Sequence, residues 1–102
     1  MSEELKLTLD TFTPWVETQF KVQSKLAQVE LELAAATGMK NHGASGEAFS
    51  LLFTGPETRW LPQGTYGFEH DRIGNFQLFI VPVGKEGGRM QYEAVFNNAS
   101  RV

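Results

Sequence analysis

The chain has 102 residues, a formal net charge of -3 and no cysteine. That length suits one domain, expected over residues 1–102, which buries roughly 60–70% of the surface its unfolded chain exposes and needs no covalent staple. The composition argues against a disulfide framework, a thiolate metal site, a cysteine nucleophile and any general attraction to nucleic acid or anionic lipid.

The start, Met1 to Glu4, is acidic and is expected to be loose. No apolar run follows it, so nothing reads as a signal peptide, and no stretch approaches the ~20 apolar residues of a membrane-spanning helix. The expectation is a cytoplasmic protein, or part of a particle assembled there. Leu5, Leu7 and Leu9 alternate with Lys6 and Thr8, a short strand or an extended arm. In the stretch Asp10 to Val16, Thr13 as N-cap with Pro14 behind it suits a single 3₁₀ turn, from which Phe12 and Trp15 plug one end of the core. Thr18 to Gln23 alternates Phe20 and Val22 with polar residues, a half-buried strand.

Lys25 to Ala36 carries two periods at once. Leu26, Val29, Leu33 and Ala36 form a helical stripe, while Val29, Leu31 and Leu33 alternate strictly with Gln28, Glu30 and Glu32. The strand pattern is the sharper match. Thr37 to Gly46 is polar and turn-rich, a surface loop. Glu47 to Thr54 sets Phe49, Leu51 and Phe53 on one face, and Gly55-Pro56 is expected to stop it. Glu57 to Gln63 is a loop carrying an isolated Trp60. Gly64 to His70 alternates Tyr66 and Phe68 with other residues, and Asp71 to Gly74 turns the chain.

Asn75 to Phe96 organises the rest. From Phe76 to Val83 both alternating sets are largely apolar (Phe76, Leu78, Ile80 and Pro82 against Gln77, Phe79, Val81 and Val83), which reads as a strand covered on both faces. Gly84 to Gly88 suits a hairpin loop. Met90, Tyr92, Ala94 and Phe96 then form one apolar face against Gln91, Glu93 and Val95. The end, residues 98–102, has no pattern and is expected to be loose. The sum is an all-β fold, a small antiparallel barrel or sandwich of about six strands with at most one short helical turn.

Chemistry is sparse. Glu69-His70-Asp71 sets a base between carboxylates, but strand neighbours point to opposite faces, so a polar strand end entering a turn explains it. Two histidines, His42 and His70, without cysteine do not nucleate a zinc site. Gly43-Ala44-Ser45-Gly46 lacks the spacing of a nucleophile elbow, and Gly84 to Gly88 lacks that of a phosphate loop. No spacing pairs Glu30, Glu32, Glu69 or Glu93 as an acid and a base. Arg59-Trp60 is the best recognition element, because those residue types dominate interface hot spots. Trp60 either meets a partner or folds back to cap the barrel.

TFTPWVETQF (Thr11 to Phe20), FSLLFTGP (Phe49 to Pro56), LPQGTYGFEH (Leu61 to His70), FQLFIVPVG (Phe76 to Gly84) and YEAVFN (Tyr92 to Asn97) follow one another in an order that resembles a family of small bacterial β-rich domains of unknown function, often encoded near phage-tail-collar-like proteins. The likeness runs from about Leu7 to Asn97. It implies a β-rich fold and a role near phage-tail-like components, and it carries no catalytic residues; Gly64, Gly74 and Pro82 belong to a fold signature.

The expectation is therefore a non-enzymatic structural or protein-interaction module, possible accessory of a phage-tail-like protein, with no cofactor, metal, nucleic acid or membrane partner. Its working surface would hold Arg59, Trp60 and Trp15, and its partner is another protein or a second copy. The alternatives are a small-molecule-binding barrel, with a cavity lined by Phe49, Phe53, Phe68, Phe79 and Tyr92, and, behind it, a small enzyme.

Overall fold

A computed structural model describes residues 7–25, 27–39 and 48–97. The two ends expected to be loose, His42 and the Gly43 to Gly46 run lie outside the described residues. Six strands form where the period-2 patterns run: β1 (Gln19–Gln23), β2 (Gln28–Met39), β3 (Ala48–Pro56), β4 (Gly64–His70), β5 (Gly74–Glu86) and β6 (Arg89–Asn97). They close into an antiparallel barrel in the order β1-β2-β3-β6-β5-β4. Two three-strand meanders are thus joined side by side, β3 to β6 along a nine-residue ladder and β1 to β4 over only Lys21–Gln23 against Gly67–Glu69. Closure leaves no strand central. The outer set of β5 accordingly meets no second layer, and Phe79 is 51% exposed and Val83 half exposed. The expectation that β5 is covered on both faces is corrected: a run apolar on both sides is also what a one-layer barrel with a sticky exterior contains.

The inner set behaves as alternation predicts. Phe20, Val22, Val29, Leu31, Leu33, Phe49, Leu51, Phe53, Phe68, Leu78, Ile80, Tyr92 and Ala94 form one buried cluster. Of the stretch Lys25 to Ala36, Leu26 lies outside the described residues and Gln28 to Ala36 lies in strand β2, whose register against β3 slips between Leu33 and Ala35. A bulge there adds one residue and flips the parity, so Leu33 and Ala36 both pack on the core. That three-residue step is what looked helical. Beyond it β2 runs on to Met39, into the stretch expected to be loop, and β3 stays paired through Gly55 and Pro56 rather than stopping there.

A side chain at Gly55 would collide with the buried Leu31 side chain, which would have to shift, so this close approach of β3 to the core favours glycine. The β5–β6 connection is tighter than Gly84 to Gly88. Strand pairing continues to Glu86↔Arg89, leaving Gly87-Gly88 as the turn, both at positive φ as a type I′ turn demands. A second register slip, between Pro82 and Gly84, bulges β5 at Val83, which accommodates a proline in the ladder.

Of the stretch expected as a short strand or extended arm, Leu5 and Lys6 lie outside the described residues, and Leu9 belongs to a helical turn. Leu9–Phe12 forms α1, a single helical turn started by Thr8, whose hydroxyl accepts from the Thr11 N–H while Thr11 Oγ1 accepts from the Thr8 N–H. Thr13 is therefore not an N-cap: its hydroxyl donates to the Leu9 carbonyl at 2.8 Å, and Pro14 sits in the following 3₁₀ turn Thr13–Trp15. The plug reading holds for Phe12. Its fully buried ring lies 5.7 to 6.4 Å from those of Phe76, Phe96, Phe49 and Phe20, which belong to four different strands.

Candidate functional site

Trp60 follows the 3₁₀ turn Glu57–Arg59 at one end of the barrel and is 55% exposed. Its loop is pinned just after the indole. The next residue, Leu61, is buried, and its N–H donates 2.8 Å to the Tyr92 hydroxyl inside the barrel. The Tyr66 hydroxyl in turn donates 2.7 Å to the Pro62 carbonyl. Burial pushes the Tyr92 phenol up, with the Leu61 N–H opposing, so Tyr92 stays a neutral fixed post at physiological pH. A surface groove of about 580 Å³ lies on one side of the indole, floored by Pro82, Gly84 and Met90 and edged by Glu57 and Lys85. Another of about 420 Å³ lies towards Ser24, Ala27, Val29 and Arg59. The Lys85–Glu57 ion pair, 2.8 Å long, is exposed at both ends and contributes little more than an edge. Trp60 is thus a projecting ring on a rigid mount, not a cap folded on the barrel.

Trp15 does not join this surface. Trp60 lies by the Gly64–Ile80 end of the β4–β5 ladder, while Trp15 lies by the other, where His70 faces Gly74. Sequence alternation could not reveal this, because which end a loop occupies depends on strand order. Trp15 packs 5.4 Å from the His70 ring, and the Arg72 guanidinium stands over it at 5.9 Å, a cation–π contact.

His70 is the polar strand end expected, closing β4 where the chain enters its turn, but it is not exposed. It is 7% exposed, with Phe20 4.3 Å away. Nδ1 accepts the N–H groups of Arg72 at 3.1 Å and Ile73 at 3.3 Å, which assigns the proton to Nε2. Nε2 therefore donates to the Thr18 hydroxyl at 2.9 Å, and that hydroxyl donates to the Trp15 carbonyl at 2.6 Å. Burial lowers the imidazole pKa, Asp71 opposes this and Arg72 adds to it. Both ring nitrogens are engaged, so His70 cannot draw a proton from Thr18. It is a latch that ties the β4–β5 turn to the N-terminal plug. The signal for it was the parity of β4, which places His70 on the same face as Phe68.

Among the described residues no group of three or more His, Asp or Glu side chains is placed to hold a metal, and no helix is long and apolar enough to cross a membrane. Of the proposed cavity residues, Phe49, Phe53, Phe68 and Tyr92 lie in the buried cluster, Phe53 5.2 Å from Phe68, while Phe79 points outward.

The fold and rim define a small closed antiparallel barrel that displays a tryptophan on a braced loop. A family model described as a domain of unknown function (DUF6916) matches residues 7–96, and the chain belongs to that family. No curated protein and no solved structure matches the chain.

Proposed function

We propose that the chain is a non-enzymatic protein-interaction module that grips its partner with the Arg59-Trp60 rim. The observation that carries this is the mounting of Trp60. A half-exposed indole on a loop already ordered by Leu61 and Tyr92 loses little conformational freedom on binding, which is what makes a hot spot strong. Apolar floor on one side and Arg59 on the other give it the mixed surroundings of such anchors. The engagement of both His70 nitrogens supports a non-enzymatic reading. The likeness of the sequence to domains encoded near phage-tail-collar-like proteins makes a phage-tail-like component the partner to seek first.

The test uses the full chain and its Trp60→Ala and Arg59→Ala variants as parallel baits in extracts of the source cell, with each retained protein then purified and titrated. A partner held by the parent and weakened by about 30-fold or more by Trp60→Ala is expected. Partners bound equally by all three baits would overturn the reading.

A further inference from the structure

The barrel is not sealed along its whole height. Strands β5 and β6 pair from Val81↔Glu93 up to their turn, and no pairing joins Gly74–Ile80 to Ala94–Asn97 below it. Each of those segments is still held on its other side, β5 by β4 and β6 by β3. The seam between them is therefore a split in the ladder, along which alternate backbone N–H and C=O groups on either side have no strand partner among the described residues.

The matching split beside β2 is different. There the N-terminal plug fills the space: Leu9 packs close to Gly38, the Leu33 carbonyl accepts from the Glu17 N–H at 2.7 Å, and the Leu33 N–H donates to the Thr18 carbonyl. Between β5 and β6 the Phe12 ring reaches from inside, against Phe76 and Phe96. Among the described residues no backbone answers the two edges.

These edges also lack the usual guards. From Ile73 to Gly84 the sequence has no charged residue, and the first proline on β5, Pro82, lies above the split. Natural sheets protect an open edge with lysine, proline or a bulge. The two bulges of this barrel lie elsewhere. On the outer face, Phe79 and Val95 flank the split from its two sides, 51% and 58% exposed. An extended chain offers the hydrogen-bonding groups that such edges need, and its outward side chains would meet Phe79 and Val95 at cross-strand distance.

We propose that the split between β5 and β6 takes an extended, uncharged strand of a partner protein, which hydrogen-bonds the free backbone of Gly74–Ile80 and Ala94–Asn97 and packs apolar side chains on Phe79 and Val95. This site is separate from the Trp60 rim and fails or stands without it.

The probe is a capped peptide of alternating threonine and valine, titrated into the full chain and followed by amide NMR and hydrogen exchange. Saturable shifts and slowed exchange are expected at alternate amides of Gly74–Ile80 and Ala94–Asn97. A peptide with the same side chains but N-methylated at every second residue should not bind, since only its backbone donors are lost. Val95→Lys, at an exposed position that leaves the core intact, should weaken the peptide by about tenfold or more. Trp60→Ala should leave its affinity unchanged.

Shifts confined to other surfaces, or equal binding of the methylated peptide, would overturn the proposal. So would amides that already exchange slowly in the free protein: with a dependence on protein concentration a second copy fills the split, and without one the chain fills it itself.

Discussion

Phe79 and Phe12 are chemically the same and structurally opposite, and the difference is worth several kcal/mol. Phe12 is fully buried among four strands, so Phe12→Ala should cost about 3–5 kcal/mol in urea unfolding, close to the stability of a small domain. Phe79→Ala removes a ring that water already reaches and should cost less than about 1 kcal/mol. Equal losses would mean that Phe79 is covered in solution. His70 adds a dependence on acid. Its folded-state pKa lies below the unfolded value of about 6.5, so the unfolded chain takes up the proton first. The contribution of the neutral ring is complete above the unfolded pKa and declines as the pH falls through it towards the folded one. The melting temperature of the parent should therefore drop more steeply below about pH 6.5 than that of His70→Gln. Parallel curves would show that the latch does not titrate as argued.

Among the elements, the loop carrying Trp60 and the strand β3 make the sharpest cases. Tyr92→Phe leaves the Leu61 N–H buried without an acceptor and should destabilise by about 1–3 kcal/mol, with faster exchange of the Leu61 amide. An unchanged exchange rate would show that the loop is held from elsewhere. Gly55→Ala should cost about 1–3 kcal/mol, because the new methyl must displace a Leu31 side chain locked in the core. Such details mark where the sequence was legible and where it was not. Alternation identified every strand and nearly every inward residue, because one face of each strand meets the core. Leu33 to Ala36 reads as strand, as it is, but a bulge there imitates a helical step and gives the stretch its second period; Thr8 to Phe12 is misread, since a capping pair too short to set a period makes a helix there. Alternation overread β5, since apolarity on the outer face has no bearing on coverage. Arg59 and Trp60 were visible as residue types, but the grouping with Trp15 required knowing that β4 runs between the two ends of the barrel.

For the whole molecule, the closing contact is the one between β1 and β4, where Val22 meets Phe68 across nearly half the chain. Each meander can form from neighbouring strands, whereas this ladder must wait until both exist. Folding in milliseconds to seconds is expected, slow for this size, as for other domains dominated by non-local strand pairs. Substitutions at Val22 or Phe68 should then act mainly on the unfolding rate, with folding rates close to the parent, if closure follows the transition state. Folding slowed in proportion to the lost stability would place closure at the rate-limiting step instead.

The separation of the two tryptophans, one in water on a braced loop and one against an imidazole at the far end, also makes the protein its own optical instrument. Trp60 should emit to the red and shift blue when a partner desolvates it, whereas Trp15 lies beside a ring whose protonation quenches indole light. One fluorescence spectrum, recorded against ligand and then against acid, therefore reads the rim and the latch as separate channels without a dye.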